Sequence, residues 1–590
     1  MNYFLVSESS KISIDRLSLP TNSKKISLFR FKYFWLVLGL FGMQALLRAQ
    51  SPHRPAISSP VKHSIIYAGS FGELRGSHFH GGVDIKPSGK GKDSIFSAQE
   101  GYIQQIKISR GGYGKMIKIQ HPNMGLSTLY AHLDSFSPPI EALVTEFQKK
   151  TNSYEIDLIP EPGKYPVTNR GFLGYMGNTG HSYGPHLHFE IREAQTDKLL
   201  NPAVYGIKPK DTRKPTIKLV KCYAISDQWQ TSELWTQTPL QIRGKNTSLP
   251  TKYHQIGFGI EAFDQMNGAS NINGIWSLQI YARDTLIYSY TMQEYALEEN
   301  KLMDAFTCFK ARKSSGKHIV KGFRHPVNNS LLAQFPYKDG VITLLPTQPT
   351  SITIIAEDIE GNKDILTFNV HLDEDLIKPD TLSTDGKLIQ INEKYALESQ
   401  GLRINIAERS FLGPYVFKVD TLTKNKEIQW KIGDTKDPLF KKMKIQVKIP
   451  QKYMAKKDKL CFVSKERGRI SFGEQIEDSI LITEIRQLGS FGFFLDTVPP
   501  SIKPDRFSVQ AKNYKSFSFT ITDNVIPKGE ATPFLYSVWI DGEWIACPFK
   551  AMDHKLTIPI HQLKPGNHDL LIQVTDYKQN KAVFKKQFKT

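Results

Sequence analysis

The octapeptide Gly184-Pro185-His186-Leu187-His188-Phe189-Glu190-Ile191 limits the fold of this chain more than any other stretch. Read as a strand, it places His186, His188 and Glu190 on one face and Leu187, Phe189 and Ile191 on the other. Such an apolar face must lie on a core, which holds the opposite row in position. Two imidazoles on one face, about 7 Å apart by strand rise, suit a metal site or a proton-transfer site. A His-x-His pair alone is weak evidence for either, because short motifs recur by chance.

Two further segments raise the specificity. In His80-Gly81-Gly82-Val83-Asp84-Ile85, an extended backbone puts His80, Gly82 and Asp84 on one face, with Gly82 leaving room between two metal-binding side chains. One His and one Asp here, with one His from the later strand, give three ligands and an open fourth position. That is the catalytic rather than the structural pattern for zinc. The third segment, Ser127-Thr128-Leu129-Tyr130-Ala131-His132-Leu133, also alternates, and places Thr128, Tyr130 and His132 on one side. It supplies a histidine that need not bind metal.

In this order, HxGxD, YAHL, GNTG at 177–180 and GPHLHFE resemble the lysostaphin-type zinc endopeptidases, which cut peptidoglycan cross-bridges. The resemblance covers roughly residues 67–206. It implies that His80, Asp84 and His188 are the Zn2+ ligands and that His132 and His186 are the two catalytic histidines. It also implies a peptidoglycan peptide as substrate. Some members of the family have lost ligands and serve as activators of other hydrolases, whereas all five positions are filled here. The stretch from His132 to His186 is longer than is usual in the family, which bears on the shape of the groove rather than on the chemistry.

The chain has 590 residues, enough for about four domains. Its 77 Lys and Arg exceed its 57 Asp and Glu by 20, and the excess is spread along the chain. No recognition motif supports a nucleic-acid partner. An anionic envelope polymer, a membrane surface or plain solubility accounts for the charge equally well. The four cysteines, Cys222, Cys308, Cys461 and Cys547, include no CxxC pair, so a cysteine-cage zinc site is excluded. Cys222 and Cys308 fall in one of the modules described below and could pair, but a disulfide is not the expectation.

Residues 1–50 read as an export signal or an N-terminal anchor. Lys24, Lys25, Arg30 and Lys32 flank an uncharged run at 33–47 that is short for a membrane span. Residues 51–210 form the metallopeptidase domain, with β segments at 95–98, 101–108 and 115–120. His121 and His181 read as loop residues, and His78 as a possible neighbour of the groove. Ile140, Leu143, Val144 and Phe147 make one helical stripe at 138–150, started by Ser137 and Pro138. Most stripes of this kind pack on a core, so a groove wall is the second choice.

Beyond residue 210 a pattern repeats. Asp211-Thr-Arg-Lys-Pro-Thr-Ile217 resembles Asp496-Thr-Val-Pro-Pro-Ser-Ile502, and Asp358-x-x-x-Asn362-Lys363 resembles Asp576-x-x-x-Asn580-Lys581. Strand-rich sequence between these marks implies β-sandwich modules of immunoglobulin-like type at 211–372 and 496–590, with another β-rich module at 373–495. Asp and Asn at such turns more often fix backbone geometry than bind calcium.

The expected fold class is therefore mainly β: a groove-bearing antiparallel β catalytic domain followed by several such modules. The expected function is zinc-dependent hydrolysis of peptidoglycan cross-links by an exported, periplasmic or envelope-associated enzyme. The modules would add placement near the substrate, with an envelope protein as a possible partner, and the catalytic stretch would fold without them. The alternative is a non-catalytic envelope-binding or scaffold protein, or an activator of other cell-wall hydrolases.

Overall fold

The structure is a computed structural model and describes residues 55–226, 231–243, 248–373, 385–424, 427–466, 468–528 and 533–590. The export-signal reading of residues 1–50 lies outside the described residues. Among the described residues the fold is mainly β and almost wholly antiparallel, as expected. None of their helices is long and apolar enough to cross a membrane.

The first region contains strands β1 (Tyr67–Gly69), β2 (Val83–Ile85), β3 (Ser94–Phe96), β4 (Gly101–Ile108), β5 (Lys115–His121), β6 (Leu126–Ala131) and β7 (Leu133–Phe136). Helix α1 (Pro138–Thr151) follows, and then β8 (Ile156–Leu158), β9 (Pro166–Val167), β10 (Phe172–Met176), β11 (Leu187–Glu193) and β12 (Leu199–Leu200). The main sheet runs β1-β2-β11-β6-β5-β4-β8, and a smaller one runs β3-β10-β7. β11 therefore lies centrally, between β2 and β6, and is buried on both faces. Leu187, Phe189 and Ile191 face the core with no exposure. β4 carries a bulge between Ile103 and Gln105, so its buried residues shift from one alternation to the next without leaving the core.

α1 buries Ile140, Val144 and Gln148, and Leu143 and Phe147 pack beside them on the core. None of these five side chains lines the groove described below. Ser137 stands at the start of the helix but gives no side-chain cap; Pro138 opens the first turn. His121 is not a loop residue: it ends β5, is 2% exposed, and sits between the Glu100 carbonyl and the Thr128 hydroxyl, at 2.8 and 2.7 Å.

The tail forms pairs of sheets around shared cores. Residues 216–372 make a five- and a six-stranded sheet, residues 387–495 another five- and six-stranded pair that also takes in Ile526–Pro527, and residues 501–589 two four-stranded sheets. Two of the three large cores, Ile389 to Phe493 and Ala511 to Phe588, are separate. The other runs from Ile57 to Val370 and does not stop at residue 210. β12 pairs with Glu294–Tyr295, so the main sheet continues into the tail. The Tyr295 ring touches Phe71 and Phe79, at 5.2 and 5.6 Å between centroids, and its hydroxyl donates to the Phe79 carbonyl at 2.9 Å. The Phe79 N–H in turn donates to the Asn300 side chain at 2.8 Å. Packing of the tail thus braces the residue next to His80. All four cysteines are free thiols.

Candidate active site and metal centre

The site is assembled on the polar face of β11. His188 pairs across the sheet with Asp84 of β2 on one side and with Ala131 of β6 on the other. His80 enters from the loop before β2, whose N–H and C=O are fixed to Glu73 and Gly72. Gly82 is required for a reason the sequence reading did not foresee. A Cβ there would come within 2.2 Å of the Phe189 carbonyl oxygen, so glycine lets the segment approach β11 rather than spacing the ligands.

Three atoms converge. His80 Nε2 is 3.0 Å from His188 Nδ1 and 3.1 Å from Asp84 Oδ1, and His188 Nδ1 is 2.9 Å from Asp84 Oδ1. The outer nitrogens fix the tautomers. His80 Nδ1 must donate to the Ser70 carbonyl at 2.8 Å, and His188 Nε2 to the Glu190 carboxylate at 2.8 Å. Each imidazole then turns a lone pair inward, towards a carboxylate oxygen that can only accept. Three acceptors about 3 Å apart, buried to 5–6% exposure, have no donor to share unless a proton or a metal cation lies between them.

The donor set fits zinc. Tetrahedral bonds of about 2.0–2.1 Å put ligand atoms about 3.3 Å apart, a few tenths more than these separations. Full burial opposes charge on His188, but bonds to Asp84 and Glu190 outweigh it and push its pKa up to about 9, so the pocket draws positive charge.

A buried network orients these three side chains. Asp84 Oδ2 accepts from Arg75 Nη2 at 2.9 Å. Glu190, 1% exposed, accepts from His188, from the Tyr113 hydroxyl at 2.6 Å and from Arg192 Nε at 2.7 Å. Burial alone would raise its pKa, but the hydrogen bond from His188, the charges of Arg192 and His188 and the hydrogen bond from the Tyr113 hydroxyl outweigh it and hold its carboxyl down at about 2. The sequence placed Glu190 on the histidine face but gave it no role, and Tyr113, Arg75 and Arg192 were missed altogether. The alternation that marked Glu190 also reaches Arg192. Tyr113 and Arg75 lie in turns with no periodic signal.

His132 and His186 stand beside the triangle. Their rings are 4.8 Å apart, and His186 Nε2 is 3.5 Å from Asp84 Oδ1. His132 Nδ1 donates to the Thr179 carbonyl and His186 Nδ1 to the Gly184 carbonyl, each at 2.8 Å. Burial lowers the pKa of both, that of His132 to about 3 with help from the neighbouring histidines. His132 does not share a face with Tyr130. Tyr130 packs in the core against Phe189, whereas His132 has a left-handed φ of 60° that turns its ring to the opposite side, 5.9 Å from His188. Strict alternation would have turned it away from the site, to the side that Tyr130 faces.

The five residues open into a groove of about 1580 Å³, lined also by His78, Tyr113, His181 and Tyr183. Part of its wall comes from the far end of the chain, from Ala551, Met552 and His554. Arg110 secures this approach: its guanidinium donates to the Phe534 carbonyl at 2.9 Å and pairs with Glu155 at 2.6 Å.

Residues 78–146 match peptidase family M23, and residues 386–496 match a Zu5-like domain. DD-carboxypeptidase/endopeptidase Mpg of Neisseria meningitidis serogroup B is 33% identical over 114 residues, which are 19% of this chain and 20% of that protein. Mpg of Neisseria gonorrhoeae matches to the same extent. The chain thus spans about a fifth of the length of these curated relatives. Among solved structures, the catalytic domain of lysostaphin from Staphylococcus simulans aligns at 21% identity, covering 23% of this chain and 86% of that one with a TM-score of 0.17. A zinc-containing peptidase from Vibrio cholerae aligns at 20% identity, covering 27% and 41% with a TM-score of 0.19. The chain carries a peptidase M23 domain, of the lysostaphin-type family, and continues it with a β-rich extension.

Proposed function

We propose that this chain is a zinc-dependent metalloendopeptidase that hydrolyses peptide cross-links of peptidoglycan in the cell envelope. The observation that carries the reading is the convergence of three lone-pair atoms from His80, Asp84 and His188 beside two histidines that are not needed as ligands. A module that only grips its target has no use for that second pair.

Zinc held by His80, Asp84 and His188 would supply a Lewis acid and a water acidic enough to attack at neutral pH. Glu190 and the Ser70 carbonyl orient the two histidine ligands, and Arg75 holds the free oxygen of Asp84. His132 and His186, tied at Nδ1, each keep a lone pair at Nε2. At that atom either ring can take a proton from an attacking water and return it to the departing amine. Once protonated, the same N–H can hold the oxygen on which negative charge builds. The groove of about 1580 Å³ has room for a peptide segment beside these rings, which accords with a cross-linked polymer as substrate. The relatives' function and the export-like N-terminal segment accord with an envelope location.

Digestion of purified peptidoglycan, with new amino termini identified by mass spectrometry, tests the reading and fixes the bond. In parallel, His188→Ala should lose both zinc and cleavage, because three ligands leave no redundancy. A His188→Ala protein that kept stoichiometric zinc would refute the ligand assignment, and an intact parent that released no amino termini would refute the activity.

A further inference from the structure

Two other acidic groups recur in the tail. Asp211, Asp264 and Asp358 form one, and Asp496, Asp523 and Asp576 the other; in each, one oxygen per residue lies within 4.8 Å of the others. They are built alike. Asp211 and Asp496 open the repeated Asp-Thr motifs. Asp264 and Asp523 directly follow strands Gln255–Phe263 and Ser516–Thr522, each paired with the strand that its Asp-Thr motif leads into. Asp358 follows strand Thr350–Glu357, and Asp576 ends strand Asn567–Asp576.

The third aspartate of each group does fix a turn. Asp358 accepts from the Asn362 N–H at 2.9 Å and from its side-chain amide at 2.8 Å; Asp576 accepts both from Asn580 at 2.8 Å. The other two have spare acceptors. Asp264 is 1% exposed, and among the described residues its Oδ2 has no hydrogen-bond partner; nor has Asp211 Oδ2. Asp496 is wholly buried, and neither of its oxygens has a well-formed hydrogen bond, since the Asn524 amide and the Val498 N–H approach without reaching good geometry. Both oxygens of Asp523 are in the same position. The basic side chains nearby are engaged elsewhere: Arg213 with Gln265, and Lys578 with Glu474 at 3.2 Å.

Three carboxylates this close repel one another, and burial removes the water that would screen them. Turn geometry does not require the extra two. We propose that each group is a calcium site. The donors are all oxygen, with no His or Cys, which suits a hard cation. Calcium–oxygen bonds of about 2.3–2.6 Å allow ligand oxygens up to about 4.6–5.2 Å apart, and the three oxygens of each group lie within 4.8 Å of one another. Backbone carbonyls and water would complete the shell. Both sites lie at joints: Asp211 is five residues beyond Gly206, and Asp496 is the last residue of the Zu5-like match. A bound ion would tie the chain entering each β unit to the end of that unit's last turn. The proposal does not depend on the zinc reading.

Calorimetric titration of the full chain with calcium chloride, in calcium-free buffer at constant ionic strength, tests it. The expected result is saturable uptake of two calcium ions per chain and a melting midpoint raised by at least about 3 °C. Magnesium should give less than half that shift. Asp264→Asn should remove one site and Asp523→Asn the other, with zinc content unchanged. In calcium-free buffer these variants should be no less stable than the parent, whereas residues that merely bond the turn would lose stability. If Asp264→Asn does not fold, Asp211→Asn probes the same site, and the parent's own calcium response still decides. Absence of saturable uptake, a response surviving both substitutions, or an equal response to magnesium would overturn the proposal.

Discussion

β11 and the final hairpin of the chain show opposite ways of using a strand. In the hairpin, Asn567–Asp576 and Lys581–Lys589 largely alternate, with residues such as Leu570, Ile572, Val574 and Phe588 inward and lysines such as Lys585 in water. In β11 both rows are buried, so His188, Glu190 and Arg192 must satisfy one another. Water solvates the polar row of the hairpin at no structural cost. The polar row of β11 is stable only as a closed network, and that network holds a reactive geometry in place. The lesson is that chemistry in this fold is found where a strand's second face is covered.

The comparison can be broken most severely by separating the regions. A chain cut to residues 51–211 loses Tyr295, Asn300 and Phe306, and with them the cover over Phe71 and Phe79. It should show no cooperative thermal unfolding and hold substoichiometric zinc, measured by circular dichroism and metal analysis. A folded, zinc-loaded fragment would instead show that the shared core is dispensable, as a boundary at 210 implies.

The next effect is on turnover. His132→Ala and His186→Ala should retain zinc and lose roughly a hundredfold or more in kcat, the range for one acid–base group. Wild-type rates in either variant would reduce that ring to a packing role.

A smaller effect sharpens the contrast between the strands themselves. Glu190→Gln leaves His188 and Arg192 without their shared carboxylate and should cost about 3 kcal/mol in chemical denaturation. Lys585→Ala, on the exposed row of the hairpin, should stay within about 0.5 kcal/mol. Similar losses in the two would mean that burial of the second face is not what distinguishes them.

The smallest effect concerns the groove wall lent by the tail. Met552→Ala should raise KM for a long branched peptide roughly two- to fivefold, the worth of a partial apolar contact, and leave short peptides unaffected. Equal changes for both lengths would place Met552 outside the substrate path.

The alternation of β11, the His80–Asp84 spacing, the stripe of α1 and the repeated Asp-Thr and Asp-x-x-x-Asn marks could all be read from the sequence. Each is a local regularity, fixed by the period of a strand, a helix or a turn. Three other matters needed the tertiary structure. His132 reaches the site through one left-handed residue, which breaks the period that would have hidden it. Tyr113, Arg75 and the wall at 551–554 come from turns far apart in sequence, and turns carry no periodic signal of what they face. The core that joins residues 57–370 depends on Tyr295 packing on Phe71 and Phe79, more than 200 residues away. The sequence by itself determined which side chains could do chemistry; only the packing of distant segments decided which of them meet, because contact is set by where whole strands and turns come to rest.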